Sequence, residues 1–283
     1  MTETRASIRK EIKTFLGLTL VFSSAAYIPL VASYRVGGTF AFGALLALVW
    51  APGIAAMATR YHNHEEIYGM GWGWGESRYQ ALAFLLPLAY GAVAYGGIWL
   101  TGYVTFEGGV FGAMFSLDYV HFLFVYLLSR IFLATGEEIG WRGFLVPQLA
   151  KLTDFTRLSL ISGAVWTLWH YPFLIFAEGR LMGVPLLSGE AAYTLCCFTV
   201  VGMSATFTMN WLRLKSGSLW TAVLLRAGHA LFLIGLFQPM TRGPANVWYL
   251  IGEYGGILAV ANVIIAFFFW RLRDRLPDTR VDA

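Results

Sequence analysis

The sequence predicts an all-α polytopic membrane protein of about eight transmembrane helices, and three observations carry that expectation. Apolar residues make up 58% of the chain and charged residues only 13%, with a mean hydropathy of +0.62. An ordinary soluble domain is not that apolar. Eight runs are long enough to cross a hydrocarbon core of about 30 Å, which needs about 20 helical residues. Finally, the 20 Lys and Arg residues segregate by side. With a cytoplasmic amino terminus, fifteen fall in inside segments. Only Arg35, Arg180 and Arg242 fall outside, and Arg130 and Arg226 lie within predicted helices. That asymmetry follows the positive-inside rule and places both termini in the cytoplasm of a multi-pass cell-membrane protein.

The predicted spans run Thr14 to Ser33, Thr39 to Thr59, Gln80 to Thr101, Tyr119 to Ala134, Leu158 to Phe176, Glu190 to Leu212, Gly217 to Phe237 and Tyr249 to Trp270. The basic residues before the first run give it the look of a secretory leader. No small-residue cleavage site follows a short core, so it is expected to be a retained helix. Pro29 and Pro87 fall inside runs, where neighbouring helices can satisfy the freed carbonyls. Trp and Tyr at many run ends read as interfacial anchors. No long polar linker divides the chain, so residues 1–283 are expected to form a single integral membrane domain.

Several function classes drop out. The formal charge of +4 is accounted for by inside loops, and no arginine stripe with interleaved aromatics suggests nucleic acid. Neither inverted repeats nor paired broken helices point to a transporter. The vicinal Cys196 and Cys197 read as packing residues.

Chemistry is expected where ionisable residues meet the membrane. The foremost stretch is Ala134 to Leu145, which carries Glu137, Glu138 and Arg142. In a helix Glu138 and Arg142 share a face at i,i+4, while Glu137 points about 100° away from Glu138. One carboxylate is then pinned and the other left free to react, on a short amphipathic helix between the fourth and fifth spans. The bland alternative is a structural ion pair at a helix start. His170 precedes Pro172, which is expected to stop or kink its helix and leave the imidazole at a helix end. Otherwise His170 is an aromatic-flanked anchor. Arg226 needs a partner in the seventh span, Glu137 or Glu138 being the obvious ones, and His229 follows three residues later on the same face. His62, His64, Glu65 and Glu66 crowd one loop, with spacing that suits neither a helical nor a finger-type zinc site. His121 has no evident partner. Glu253 is placed to cap the last helix.

A free carboxylate and a histidine in a membrane cavity make a general base and a water-orienting partner, which suggests hydrolysis of a peptide bond. At this point the chain resembles the CAAX prenyl endopeptidase and bacteriocin-processing (CPBP, or Abi) family of intramembrane proteases. Glu137-Glu138-x-x-x-Arg142 is similar to its EExxxR motif, and Trp166-x-x-x-His170 to its FxxxH motif with Trp for Phe. Gly217-Ser218-Leu219-Trp220 and Gly252-Glu253-Tyr254-Gly255 add context, and the likeness runs from Trp50 onward with a core at about 120–240.

The resemblance implies eight helices around a cytoplasm-facing cavity that receives a peptide or protein substrate. It assigns Glu137 as the base, places His170 on the shared water, and gives Glu138 and Arg142 support of the site. No cofactor is expected. A metal-free site is favoured because no well-spaced ligand set is present, with Glu137 and His170 left as the one place for an ion. The chain departs from the family's third motif, where His and Asn or Asp are replaced by Arg226 and Ala230. Arg226 and His229 remain as possible oxyanion or substrate-binding groups. Losing an oxyanion donor commonly costs about 10² to 10³ in rate, so reduced activity is expected. The alternative is an inactive, protease-like membrane protein that binds a peptide or partner, as in bacteriocin immunity.

Overall fold

A computed structural model describes residues 4–33, 39–63, 66–178 and 188–281. Its long helices are α1 (Arg5–Ser33), α2 (Thr39–His62), α3 (Ser77–Leu100), α5 (Leu117–Glu138), α7 (Phe155–Pro172), α8 (Gly189–Ser216), α9 (Trp220–His229) and α11 (Gly256–Arg271). Shorter helices are α4 (Gly108–Ala113), α6 (Val146–Ala150) and α10 (Trp248–Ile251). Among the described residues eight helical segments are long and apolar enough to cross a membrane. Their outward faces carry exposed apolar residues such as Phe124 and Phe132 on α5 and Ile264, Phe267 and Phe268 on α11. Such faces belong in lipid. The chain is therefore an all-α polytopic membrane protein. Among the described residues the one sheet is a two-residue antiparallel ladder, β1 (Thr105–Phe106) with β2 (Thr241–Arg242), beside the Glu107–Arg242 ion pair.

The carboxylate-bearing stretch corrects one expectation. It is no separate amphipathic helix, because α5 continues through a π-helical segment, Ile139–Leu145, into α6. The resulting 34-residue helix would span about 50 Å. Its first half faces outward and its second half is buried from Ala134 onward. Close approach to α2 explains the burial. A Cβ on Gly136 would lie 2.8 Å from the Trp50 ring, and one on Gly140 would lie 2.6 Å from Pro52 backbone. Pro172 likewise fails to stop its helix. The chain passes directly from α7 into a π-helical segment, Phe173–Glu178, and a third such segment, Ala230–Phe237, follows α9.

These wider turns leave carbonyl groups without ordinary helical donors, and neighbouring helices supply them. The Arg213 Nε donates to the Arg142 carbonyl at 2.7 Å, the Tyr27 hydroxyl to Trp169 at 3.0 Å, and the Tyr119 hydroxyl to Gly235 at 2.7 Å. Packing around the first segment is aromatic, with Trp141 edge-on to both Phe15 of α1 and Trp169 of α7. A second apolar cluster gathers Tyr95, Phe237, Val247 and Leu258 nearer the ladder. Of the two cysteines, Cys197 is buried and Cys196 exposed, and both are free thiols.

Two tests follow from this packing. Gly140→Ala should destabilise the protein by about 1–3 kcal/mol, because the atoms its methyl meets are backbone that cannot rotate away. Thermal unfolding in detergent reads this, and an unchanged midpoint would contradict the tight α2–α5 contact. At the turn between α6 and α7, Asp154 caps α7 by accepting from the Arg157 backbone N–H at 3.0 Å. That bond holds its carboxyl below the usual range. A depressed folded value stabilises above the unfolded pKa near 3.9, and the effect is lost as pH falls through the folded value. Asp154→Ala should cost about 1 kcal/mol at neutral pH and nothing once the wild-type carboxyl is protonated.

Candidate functional site

The α5–π junction, α7 and α9 converge on four charged side chains and a histidine. Glu138 and Arg142 are 0% and 1% exposed, and Glu137 is 3% exposed. Arg142 Nη1 lies 3.2 Å from both oxygens of Glu138, and its Nη2 donates to Thr206 Oγ1 of α8 at 3.2 Å. The i,i+4 pairing is thus present and fully buried. Helix α9 brings Arg226 across both acids. Its Nη2 donates to Glu137 Oε1 at 2.9 Å, its Nη1 lies 2.8 Å from Glu137 Oε2, and the same Nη1 reaches Glu138 Oε1 at 3.2 Å.

The expectation that one glutamate stands free is corrected here. Arg226 meets both because α9 packs across the face where the two carboxylates diverge. The expectation that Arg226 pairs with Glu137 or Glu138 holds for each. Its guanidinium also sits 5.7 Å from the Trp166 ring centroid, within reach of a cation–π contact.

His170 is held at one nitrogen and open at the other. Its Nδ1 is 2.9 Å from the Trp166 carbonyl, and Trp166 and Trp169 pack on the ring at 4.2 and 4.7 Å between centroids. A carbonyl only accepts, so Nδ1 carries a proton, and in the neutral ring Nε2 keeps its lone pair. That Nε2 faces Glu137 Oε2 at 3.5 Å. Glu137 Oε2 is itself buried, with Arg226 Nη1 2.8 Å away. Glu137 Oε2 and the neutral His170 Nε2 are both acceptors, close enough for one water beside them to donate to each.

Beside this cluster is a cavity of about 160 Å³, lined by Tyr90, Arg130, Trp166, His170, Arg226, His229 and Glu253 among others. Glu253 is no helix cap, since Gly255 occupies that position before α11 without a side-chain bond. The bend after α10 turns Glu253 to the cavity instead. His229 also faces the cavity, with its Nδ1 2.5 Å from the Tyr90 hydroxyl. Tyr90 and Thr206 were not legible from sequence, since each is a common residue inside an apolar run whose partner lies over 60 positions away. Ala230 is buried and brings no polar side chain to the site.

Among the described residues no three His, Cys, Asp or Glu side chains come together. Glu137 and His170 supply two ligands where a catalytic zinc takes three, and Arg226 already occupies the carboxylate. Of the loop cluster, His64 and Glu65 lie outside the described residues, as do Arg35 and Arg180.

Comparison with known proteins bears on this arrangement directly. Residues 119–232 match the family model described as type II CAAX prenyl endopeptidase Rce1-like. That range contains Glu137, Glu138, Arg142, His170, Arg226 and His229. The chain is 40% identical over 157 residues to CAAX prenyl protease 2 of Methanococcus maripaludis, covering 55% of this chain and 53% of that protein. It is 34% identical over 85 residues to Protein DETOXIFICATION 28 of Arabidopsis thaliana, covering 29% of this chain and 17% of that protein. The chain thus spans about half the length of the first relative and about a sixth of the second. Through the segment that carries its buried carboxylates, the chain is similar to the type II CAAX prenyl endopeptidase Rce1-like family.

Proposed function

We propose that this protein is an intramembrane endopeptidase of the cell membrane, hydrolysing a peptide bond with water activated by Glu137. The observation that carries the reading is the facing pair of acceptors, Glu137 Oε2 and His170 Nε2, 3.5 Å apart. A water molecule donating to both satisfies them and is held for attack. In the reaction the water oxygen bonds to the scissile carbonyl carbon while one of its protons passes to Glu137. The tetrahedral intermediate then collapses, the C–N bond breaks, and Glu137 returns that proton to the leaving amine. Glu138 and Arg142 are positioning residues that fix the end of α5. No step runs through a metal.

The substrate is a peptide or protein reaching the cavity at the membrane, and the basic-residue asymmetry supports cytoplasmic termini with a cavity opening to that side. The match of residues 119–232 to the Rce1-like family model favours this activity class, and the CAAX prenyl protease name of the 40% identical relative agrees with it. Residues 1–283 are proposed to act as one membrane domain.

Arg226 motivates a second reading. A guanidinium on both oxygens of Glu137, with Ala230 bringing no donor, suits a restrained or disarmed site that binds a peptide or partner, as an immunity protein would.

The purified protein in detergent or lipid, given a peptide library, should show turnover that survives a chelator and falls about 10²- to 10⁴-fold in Glu137→Ala. Equal turnover in both proteins, or none in either, removes the catalytic reading. Restoring the third motif with Arg226→His and Ala230→Asn separates the two readings. A gain of tenfold or more over a measurable wild-type rate marks a restrained enzyme. Turnover appearing only in the double variant marks a disarmed one.

A further inference from the structure

Tyr90 and His229 form a pair that the mechanism above does not use. Their hydroxyl and Nδ1 are 2.5 Å apart, Tyr90 is 7% exposed, and both side chains line the cavity beside Arg226 and His170. The pair joins α3 to α9 where the two helices approach tightly. A Cβ on Gly228 would lie 2.6 Å from the Phe84 carbonyl oxygen, and one on Gly91 would lie 2.6 Å from the Phe237 ring. The backbones therefore hold the two groups in place.

Counting protons shows what the pair can do. A neutral tyrosine and a neutral histidine carry two polar hydrogens between them, and their mutual bond uses one. If the phenol donates to Nδ1, the imidazole proton sits on Nε2 and is unspent. If Nδ1 donates to the phenol oxygen, the phenol proton is unspent. Either tautomer leaves one donor, and neither group has another hydrogen-bond partner among the described residues. Arg226, one turn away on the same helix, is committed to Glu137 and Glu138, and Ala230 offers nothing. A carbonyl attacked by water at Glu137 still needs a donor for the charge that develops on its oxygen.

We infer that the Tyr90–His229 pair, bridging α3 and α9, donates its unspent hydrogen to the oxyanion of the tetrahedral intermediate. This rests on the hydrolytic reading given above. As the water oxygen bonds to carbon, the carbonyl π electrons move to oxygen, and the pair's hydrogen binds that oxygen without being transferred. When the C–N bond breaks the electrons return and the donor is released. Both residues are then catalytic, and Tyr90 lies outside the matched segment 119–232.

Tyr90→Phe and His229→Leu in the full chain test the idea, with His229→Gln as a variant that keeps an N–H donor. Peptide turnover and the affinity of a phosphinic peptide, whose tetrahedral phosphorus bears an anionic oxygen, are the two readouts. The expected result is a fall in kcat of about 10²-fold in the first two variants, with KM within about twofold of wild type. Phosphinate affinity should fall in parallel, while His229→Gln recovers most of both. Unchanged kcat and unchanged phosphinate affinity in Tyr90→Phe and His229→Leu would overturn the inference, as would losses that track KM alone. If His229→Leu does not fold, Tyr90→Phe, which removes one oxygen atom, decides. If the wild type turns nothing over, hydrolysis fails by that result, and the phosphinate affinities still read the pair. A loss in the variants sustains the oxyanion site, and equal affinity in all ends it.

Discussion

Four charges buried together govern this structure. Glu137, Glu138 and Arg142 are almost wholly buried, and the Arg226 side chain is 24% exposed. Formally the two carboxylates and two guanidiniums cancel. Cancellation matters because each buried ion carries a desolvation penalty of several kcal/mol, and removing one partner from such a group typically costs about 3–5 kcal/mol. No member can leave without stranding another. The network therefore sets how α9 is rotated against α5, and through Thr206 it draws in α8. His170, held by Trp166 on α7, meets that arrangement through its Nε2, 3.5 Å from Glu137 Oε2.

The same constraint explains why the long fourth span runs so far past its lipid-facing half. An isolated amphipathic helix would leave Glu138 and Arg142 at a surface, where an exposed pair is worth little. Continuing the helix and pressing it onto α2 through Gly136 and Gly140 takes them into the interior instead. There the attraction is stronger, and the orientation of Glu137 is fixed as a result. Trp141, edge-on to Phe15 and Trp169, closes the opposite side.

Legibility in the sequence followed the range of the interaction. The eight spans were readable because each is a run of contiguous apolar residues. The Glu138–Arg142 pair was readable because it lies within one turn. Arg226 could be matched to the glutamates because so few opposite charges exist in the membrane. Contacts between common residues on distant helices were not readable, as Tyr90 with His229 and Thr206 with Arg142 illustrate. Backbone geometry also escaped. Nothing in Ile139–Leu145 marks a π-helix, and Pro172 suggested a stop where the chain only widened its turn.

Those widened turns carry a consequence for how the chain tolerates change in length. The first and third follow directly on Glu138 and His229, and the second follows His170 after Tyr171 and Pro172. A π segment holds one more residue per closed loop of hydrogen bonding than an α-helix. Removing one residue there would let the helix close regularly, but would turn everything beyond it by about 100°. Arg142 lies inside the first of these segments, so a deletion before it would shift it from i,i+4 to i,i+3 relative to Glu138 and turn its guanidinium off Thr206 while keeping the helix intact. Along these three helices, spacing is therefore as much a part of the site as residue identity.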